Sequence, residues 1–303
     1  MKKVIIGIHG LGNKPSKRVL TNYWKKSMQE GLSKVDEGLV LPDFRMVYWA
    51  DVFNDAFLSR RKRLPDDPYY LDEPYVRSMP GMVSDDQTLR QKVLDYLNVQ
   101  LNQVFLNEDL TLNYSFLTDL ILKKYFIELS AYFHETCYDE NKIECMAKDL
   151  IRRRAVRMLR KYEGYSIMLV GHSMGSIVAF DVLSFLVPEI QINTLVTIGS
   201  PLGLPIVISK IAAEQKVRSN KEAIMKTPPG VVRHWFNYSD LTDKIAFNYK
   251  LSDDFRSNAH RVGPKDELVV NDYMIEGERN PHKSFGYLRT PAFAKMLRDF
   301  IMS

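Results

Sequence analysis

The chain has 303 residues, of which 45% are hydrophobic and 26% are charged, and its formal net charge is +5. This composition is typical of a globular protein with a large core, and it excludes a disordered or fibrous chain. No run of about 18 apolar residues predicts a membrane-spanning helix, and the apolar run near the start is too short for a signal peptide. We therefore expect a cytoplasmic protein, with peripheral membrane contact left open.

The basic residues do not predict a nucleic-acid partner. They cluster at residues 60–63 and 151–161. The second cluster has apolar residues at helical spacing, so its arginines are expected on the solvated face of a helix. The chain has two cysteines, Cys137 and Cys145, whose number and spacing suggest neither a disulfide framework nor a zinc site. We expect no metal and no organic cofactor.

Strand and helix patterns alternate along most of the chain, which predicts a mostly parallel sheet covered by helices. The first strand is the β-branched run at residues 4–9, and Ser16 is placed to cap the helix after it. Further strands are predicted at residues 44–50, 165–171, 192–199, 231–238 and, more weakly, 267–270. A helix begins at Met174, and a last helix begins with Thr290 as cap and Pro291 at its first position.

One segment, residues 52–142, breaks this alternation and contains no clear strand. The first of its two helical patterns has an apolar face formed by Leu89, Val93, Leu97 and Leu101. The second, at residues 116–133, is apolar around much of its circumference, but charges such as Lys123 and Glu128 exclude a membrane span. We interpret the segment as a helical insertion within a single domain of residues 1–303. A sharper, compatible interpretation makes it a cap that supplies an apolar wall to an active site.

The sequence Gly171-His172-Ser173-Met174-Gly175 lies between a predicted buried strand and a predicted helix. In this context G-x-S-x-G places a nucleophilic serine on a strained turn, where close neighbours must lack a Cβ. A plain strand–helix turn is the alternative. A serine that attacks an ester carbonyl needs a base, an acid that orients the base, and backbone N–H donors for the oxyanion.

The first strand is followed by a loop suited to the oxyanion. Met174, the residue after the serine, would supply one N–H donor. The loop "IHGLG" offers the second at Leu11, because Gly10 and Gly12 allow a close approach. His9 in the same loop is interpreted as a turn histidine with satisfied hydrogen bonds.

The acid and the base should follow the serine in that order. Asp240 and Asp243 both lie in the loop after the strand at 231–238, and the residues themselves do not separate them. Of the two later histidines, His282 is favoured over His260 because it lies after the last predicted strand. Ser200 ends the strand after the nucleophile strand without a matching helix, and we interpret its loop as a lining of the site.

The motifs "HGLG", "GHSMG", "TIGSPLG", "WFNYSDLTDKIA" and "NPHKSFGYL" together resemble those of the α/β-hydrolase superfamily, in its lipase- and esterase-like branch. The resemblance spans residues 8–288 but gives no match for residues 52–142. It implies an α/β-hydrolase fold and a Ser173, Asp243 and His282 triad.

The resemblance favours Asp243 over Asp240, because in that branch the acid directly precedes the x-[VI]-A part of this motif. Lys244 stands where the branch often has proline. Since the chain begins at the strand before the oxyanion loop, the resemblance also implies a reduced sheet of about six strands.

The predicted function is therefore hydrolysis of a small-molecule or lipid carboxylic ester, with a lipophilic acyl group favoured by the apolar insertion. Two alternatives remain at this point. One is a catalytically inactive protein of the same fold that binds a partner, and the other is an acyltransferase or thioesterase with the same triad. The sequence predicts neither the physiological substrate nor the oligomeric state.

Overall fold

The computed structural model describes residues 1–61, 66–78, 105–106, 112–113, 120–139, 141–219, 224–246 and 248–303. Its main sheet has six strands: β1 Lys3–Ile8, β2 Asp43–Val47, β3 Ser166–His172, β4 Ile192–Ile198, β5 Val231–Ser239 and β6 Pro264–Leu268. The strand order is β6-β5-β4-β3-β1-β2, and neighbouring strands are parallel. The predicted reduced, mostly parallel α/β sheet is confirmed.

Helices cover both faces of this sheet. They are α1 Lys17–Ser33, α2 Leu120–His134, α3 Ala147–Lys161, α4 Met174–Asp181, α5 Pro205–Ser219, α6 Leu251–Asp254, α7 Ser284–Tyr287 and α8 Pro291–Met302. A 3₁₀ turn, Ala50–Val52, follows β2, and a π-helical turn, Val182–Leu186, continues α4.

The core has two layers because side chains alternate across each strand. In β3, Ile167 and Leu169 pack with the α2, α3 and α4 layer. Met168 and Val170 pack on the other side, with α1 and α8. All seven residues of β3 are buried, as expected of a central parallel strand covered on both faces. Ser173 therefore comes directly after a strand that is buried in the core.

Two predicted helix caps have different outcomes. The Thr290 hydroxyl accepts a hydrogen bond from the Phe293 N–H at 3.4 Å, and Pro291 occupies the first turn of α8. Ser16 occupies the cap position of α1, but its side chain makes no capping hydrogen bond. There the backbone starts the helix, since the Leu20 N–H donates to the Ser16 carbonyl at 3.0 Å.

The insertion contains one predicted helix and some unpredicted strands. The helix predicted at 116–133 is observed as α2, whereas the one predicted at 89–101 lies outside the described residues. The expectation of no strand is wrong for three short strands, Phe105–Leu106, Leu112–Asn113 and Thr136–Tyr138. The first two pair with each other, and the third pairs with Glu144–Met146, just beyond the insertion. Ladders of two or three residues are too short to show an alternating pattern.

The expectation of solvated arginines in α3 is wrong for Arg152. Its side chain is buried and forms ion pairs with Asp181 and Glu214. The buried face of α3 therefore includes Arg152, whose charge is paired with carboxylates of other helices. Among the described helices, none combines the length and the apolar character that a membrane span requires.

Candidate active site

Ser173 lies on the sharp turn between β3 and α4. Its φ of +52° is in the left-handed region, which is uncommon for a residue with a side chain. The Ser173 N–H donates to the Ile198 carbonyl at the end of β4, at 3.0 Å. A Cβ on Gly175 would lie 2.2 Å from the Ile8 carbonyl oxygen, and one on Gly171 would lie 2.7 Å from the Ser176 Cα. Both glycines are required because α4 starts directly against neighbouring backbone.

His282 connects the serine to a carboxylate. Its Nε2 is 2.9 Å from the Ser173 Oγ, and its Nδ1 is 2.9 Å and 2.8 Å from the two carboxylate oxygens of Asp243. The His282 N–H donates to the Asn280 side chain at 3.0 Å, which fixes the loop before α7. His260 is exposed, and its N–H closes a separate turn with Asn258. The structure thus brings Ser173, Asp243 and His282 together.

Asp240 and Asp243 are both fully buried but have different partners. Asp243 accepts a hydrogen bond from the Ile245 N–H at 2.9 Å, in addition to its contact with His282. Asp240 instead accepts the Asn271 N–H at 2.7 Å and pairs with the Arg279 guanidinium. Asp240 is therefore committed to holding the loop before His282, whereas Asp243 contacts the imidazole.

Tyr287 joins the two aspartates. Its buried hydroxyl accepts a hydrogen bond from the Asp240 N–H at 3.0 Å and donates one to the Asp243 Oδ2 at 2.8 Å. Burial, followed by the charges of Asp243 and Asp240, raises the pKa of Tyr287 well above its ordinary value. The phenol therefore stays protonated and remains a hydrogen-bond donor to Asp243. Sequence reasoning missed this role, although Tyr287 lies within the quoted motif "NPHKSFGYL".

His172, next to the serine in sequence, supports the histidine loop. Its Nε2–H donates to the His282 carbonyl oxygen at 2.7 Å, and the two rings are 5.0 Å apart. Burial and the neighbouring His282 lower the pKa of His172 well below its ordinary value. A neutral His172 with a backbone partner agrees with a structural role.

The loop after β1 lies directly beside the serine. A Cβ on Gly10 would be 2.8 Å from the Ser173 Cβ. His9 is buried, its Nδ1–H donates to the Gly10 carbonyl at 2.8 Å, and its Nε2 accepts the Trp49 N–H at 3.0 Å. Burial, with the charge of Lys14, lowers the pKa of His9 to about 3. His9 is thus a neutral turn histidine with both ring nitrogens bonded.

The two expected oxyanion donors lie at this junction. Met174 is the first residue of α4, where helical N–H groups lack partners in their own helix and the helix dipole favours negative charge. Leu11 follows Gly10 in the adjacent loop. Within the described residues, neither N–H donates a hydrogen bond to a protein acceptor.

Lys14 fixes the shape of this loop. Its Nζ donates to the carbonyl oxygens of Leu11, Gly12 at 3.0 Å and Asn13 at 3.4 Å. Burial and the charge of Lys283 lower the pKa of Lys14 to about 7, although nearby Glu128 of α2 acts in the opposite direction. Lys14 therefore ties three successive carbonyls of the loop together.

Part of the insertion is bound to the histidine loop. The Glu73 carboxylate accepts hydrogen bonds from the Asn280 side chain at 2.6 Å and from the Lys283 Nζ at 2.5 Å. The Tyr273 hydroxyl donates to the Pro74 carbonyl at 2.7 Å. No sequence signal indicated these contacts, because the partners are about 200 residues apart.

Ser200 is buried close to the turn that carries Ser173. Its Oγ is 2.7 Å from the Ser176 Oγ, which donates to the Ser173 carbonyl at 2.6 Å. Ser200 thus contacts the turn through Ser176. In the part of the chain that the structure describes, no group of three or more His, Cys, Asp or Glu side chains is placed to hold a metal ion.

A family model shows which family the chain belongs to. A family model described as the PGAP1-like alpha/beta domain matches residues 128–285, slightly more than half of the chain. A search of curated proteins found no match. A crystal structure of a "Putative hydrolase" from Agrobacterium vitis S4 is 14% identical, covers 51% of this chain and 67% of that chain, and has a TM-score of 0.29. The matched residues 128–285 include the Ser173 turn, the aspartate loop and the histidine loop. The chain belongs to the PGAP1-like alpha/beta domain family of the α/β-hydrolase superfamily.

Proposed function

We propose that this chain is a serine hydrolase that cleaves carboxylic esters through an acyl-enzyme. The observation that carries the proposal is the continuous hydrogen-bonded series from the Ser173 Oγ through His282 to Asp243. Its two steps measure 2.9 Å and 2.8 Å. Nucleophile, base and acid in this order are the arrangement that activates serine in acyl transfer.

In the proposed acylation step, the Ser173 Oγ attacks the ester carbonyl carbon while the His282 Nε2 takes the hydroxyl proton. The N–H groups of Met174 and Leu11 donate to the oxyanion that develops on the carbonyl oxygen. When the tetrahedral intermediate collapses, His282 gives the proton to the leaving alcohol oxygen. Water then attacks the acyl-enzyme, with His282 acting again as base and then as acid.

Asp243 orients the imidazole and stabilises the imidazolium form. It accepts the Nδ1–H of His282, which leaves the Nε2 free to act as a base toward Ser173. The Tyr287 hydroxyl and the Ile245 N–H hold the carboxylate from its other sides. Because Asp243 is fully buried, its interaction with the imidazolium is weakly screened by solvent.

The preferred substrate in this proposal has a lipophilic acyl group. Met174, next to the nucleophile, belongs to the same apolar cluster as Phe126 and Leu129 of α2. Leu202, after β4, also belongs to this cluster. We further propose that residues 52–142 form a cap within a single domain of residues 1–303.

A fluorophosphonate probe tests the nucleophile. The wild type should be labelled stoichiometrically, and Ser173→Ala should not be labelled. Ser200→Ala is the matched control, since this buried serine lies two hydrogen bonds from the same turn and should leave labelling intact. Equal labelling of the wild type and Ser173→Ala would overturn the assignment.

A series of acyl esters of increasing chain length tests the reaction and the acyl preference together. We expect kcat/KM to rise with chain length, since each additional buried CH₂ contributes about 0.8 kcal/mol, or roughly fourfold. Product analysis with added alcohols or thiols then separates hydrolysis from acyl transfer. Absence of both turnover and labelling would favour an inactive binding protein instead.

A further inference from the structure

The two cysteines of the chain face each other in the hairpin that joins α2 to α3. Cys137 and Cys145 are direct partners in the ladder of Thr136–Tyr138 with Glu144–Met146. Their Sγ atoms are 3.6 Å apart, and both are free thiols. The linear spacing indicated no disulfide framework, but the hairpin brings the two thiols within contact distance.

The hairpin is held firmly on both sides of the pair. Toward the tip, the Asp139 side chain accepts the N–H groups of Asn141 at 2.9 Å and Ile143 at 3.0 Å. Toward the base, the Ala147 N–H donates to the Glu135 carbonyl at 3.0 Å. The pair is therefore held in register by hydrogen bonds above and below it.

The backbone spacing at this position suits a disulfide. The Asp139 N–H donates to the Ile143 carbonyl at 3.0 Å, so antiparallel alternation makes Cys137 and Cys145 a hydrogen-bonded pair. Such pairs have a Cα separation of about 5.5 Å, which is within the usual range for disulfides. Rotation of the two side chains, with a small approach of the two Cβ atoms, should close the bond.

The pair is also accessible to a small reagent. Both cysteines are half-buried, and the neighbouring Tyr138 and Ile143 are exposed. Burial and the adjacent Cys145 thiol raise the pKa of Cys137 to about 11, which disfavours its thiolate. Both thiols are within reach of a small disulfide in solution.

We propose that Cys137 and Cys145 are a reversible redox pair, which closes into an intramolecular disulfide by exchange with a low-molecular-weight disulfide such as oxidised glutathione. The thiolate of one cysteine attacks the glutathione disulfide, forming a mixed disulfide and releasing one glutathione thiolate. The thiolate of the other cysteine then attacks the cysteine sulfur of the mixed disulfide and releases the second. The two cysteine protons end on the two glutathiones, so the cysteines are oxidised and glutathione disulfide is reduced.

The bond would lie at the connection between two helices that pack on each other. The hairpin begins directly after α2, whose Glu128 lies beside Gly12 in the loop after β1. It ends at the first residue of α3. The disulfide would fix this connection covalently.

Intact mass spectrometry tests the proposal on the full-length native protein. After incubation with oxidised glutathione, an acid quench and alkylation with N-ethylmaleimide, the wild type should have lost the mass of two hydrogens and bound no maleimide. Reduction with a phosphine should restore two maleimide sites. Cys137→Ser and Cys145→Ser, which lack a resolving thiol, should each retain one glutathione.

A second arm tests whether the hairpin is responsible. In guanidinium chloride the ratio of closed disulfide to glutathione adduct should fall about tenfold, because unfolding lowers the effective concentration of one thiol near the other. An unchanged ratio would overturn the proposal, as would a stable glutathione adduct on the wild type, a disulfide-linked dimer, or two thiols that stay unreacted. None of these readouts depends on ester hydrolysis.

Discussion

Two of the buried groups of charged side chains in the described part of the chain differ in the partner of the carboxylate. In the Asp243 cluster, formed by Ser173, Asp243, His282 and Tyr287, the carboxylate contacts an imidazole and a phenol. In the Arg152 cluster, formed by Lys148, Arg152, Asp181 and Glu214, the carboxylates contact cations. Arginine keeps its proton at every accessible pH, whereas histidine gains and loses one near neutrality. Burial alone therefore does not distinguish the two carboxylates, and the imidazole partner of Asp243 is the feature that supports its proposed catalytic role.

The two clusters also differ in what they connect. Arg152 of α3 donates to Asp181 of α4 at 3.1 Å and to Glu214 of α5 at 2.8 Å. The Tyr132 hydroxyl of α2 is 3.4 Å from Asp181. The Arg152 cluster thus links four helices on one face of the sheet. The Asp243 cluster links loops at the ends of strands, where ligands bind in parallel α/β sheets.

Exchanging the two loop aspartates for asparagine gives the largest expected contrast. Asp243→Asn should lower kcat by about 10⁴-fold, because a neutral amide neither fixes the imidazole tautomer nor stabilises the imidazolium. Asp240→Asn, the matched control, should change kcat less than about tenfold, since Asp240 holds Arg279 and loop backbone instead. Steady-state kinetics on the best ester measures both. A larger loss for Asp240→Asn would reverse the assignment of the acid.

Breaking the Arg152 cluster should affect stability rather than chemistry. Arg152→Met leaves the carboxylate of Asp181 buried without its cation, which costs about 3–5 kcal/mol of unfolding free energy. The matched control is Arg160→Met on the same helix, whose exposed pair with Glu189 should contribute less than about 1 kcal/mol. Urea denaturation measures both variants. A collapse of kcat in folded Arg152→Met would show that the cluster takes part in the reaction.

Glu214 of this cluster should make the protein sensitive to acid, whereas burial raises the pKa of Asp181 and acts in the opposite direction. Burial raises the pKa of Glu214, but hydrogen bonds from Arg152 and Lys148 outweigh it and lower the pKa to about 2. As the pH falls, this carboxylate is therefore protonated in the unfolded chain before it is protonated in the folded protein. Glu214 therefore contributes up to about 3 kcal/mol to the free energy of unfolding. This contribution is complete above about pH 4.5 and is lost as the pH falls toward 2.

Unfolding free energies measured across this pH range check the prediction. Glu214→Gln should flatten that part of the profile, and Glu189→Gln, at the exposed pair, should leave it unchanged. An equally steep profile in Glu214→Gln would assign the acid sensitivity to other carboxylates.

The fold and the serine turn could be predicted because their signals are local. The apolar run before Gly171 and the helical pattern after Met174 lie within about a dozen residues. The expectation of about six strands and the choice of Asp243 and His282 followed from the resemblance and from the order along the chain. In the structure Asp243 contacts His282 whereas Asp240 pairs with Arg279, and each partner lies 39 residues away in sequence.

The Arg152 cluster shows why the rest was not predictable. Helical periodicity placed Arg152 near other arginines that face solvent, but its partner Glu214 is 62 residues away. A pattern within one helix contains no information about a carboxylate supplied by another helix. The same holds for Glu73 and the histidine loop, which are linked only by tertiary contacts.

Substitution of Tyr287 should have the smallest effect on kcat, and it is the most specific test of the Asp243 cluster. Tyr287→Phe removes the donor to Asp243 and leaves the Asp240 N–H without its acceptor. A lost hydrogen bond of about 1.4 kcal/mol corresponds to a tenfold fall in kcat. KM should stay unchanged, because in the proposed mechanism the hydroxyl acts on the acid and not on the substrate.

Tyr238→Phe is the control, since its buried hydroxyl makes only a 3.5 Å contact with the Ala292 carbonyl, and its kcat should change less than about twofold. A loss as large as that of Asp243→Asn would mean that the phenol is indispensable to the acid, whereas no loss would mean that the Ile245 N–H and His282 hold the carboxylate by themselves.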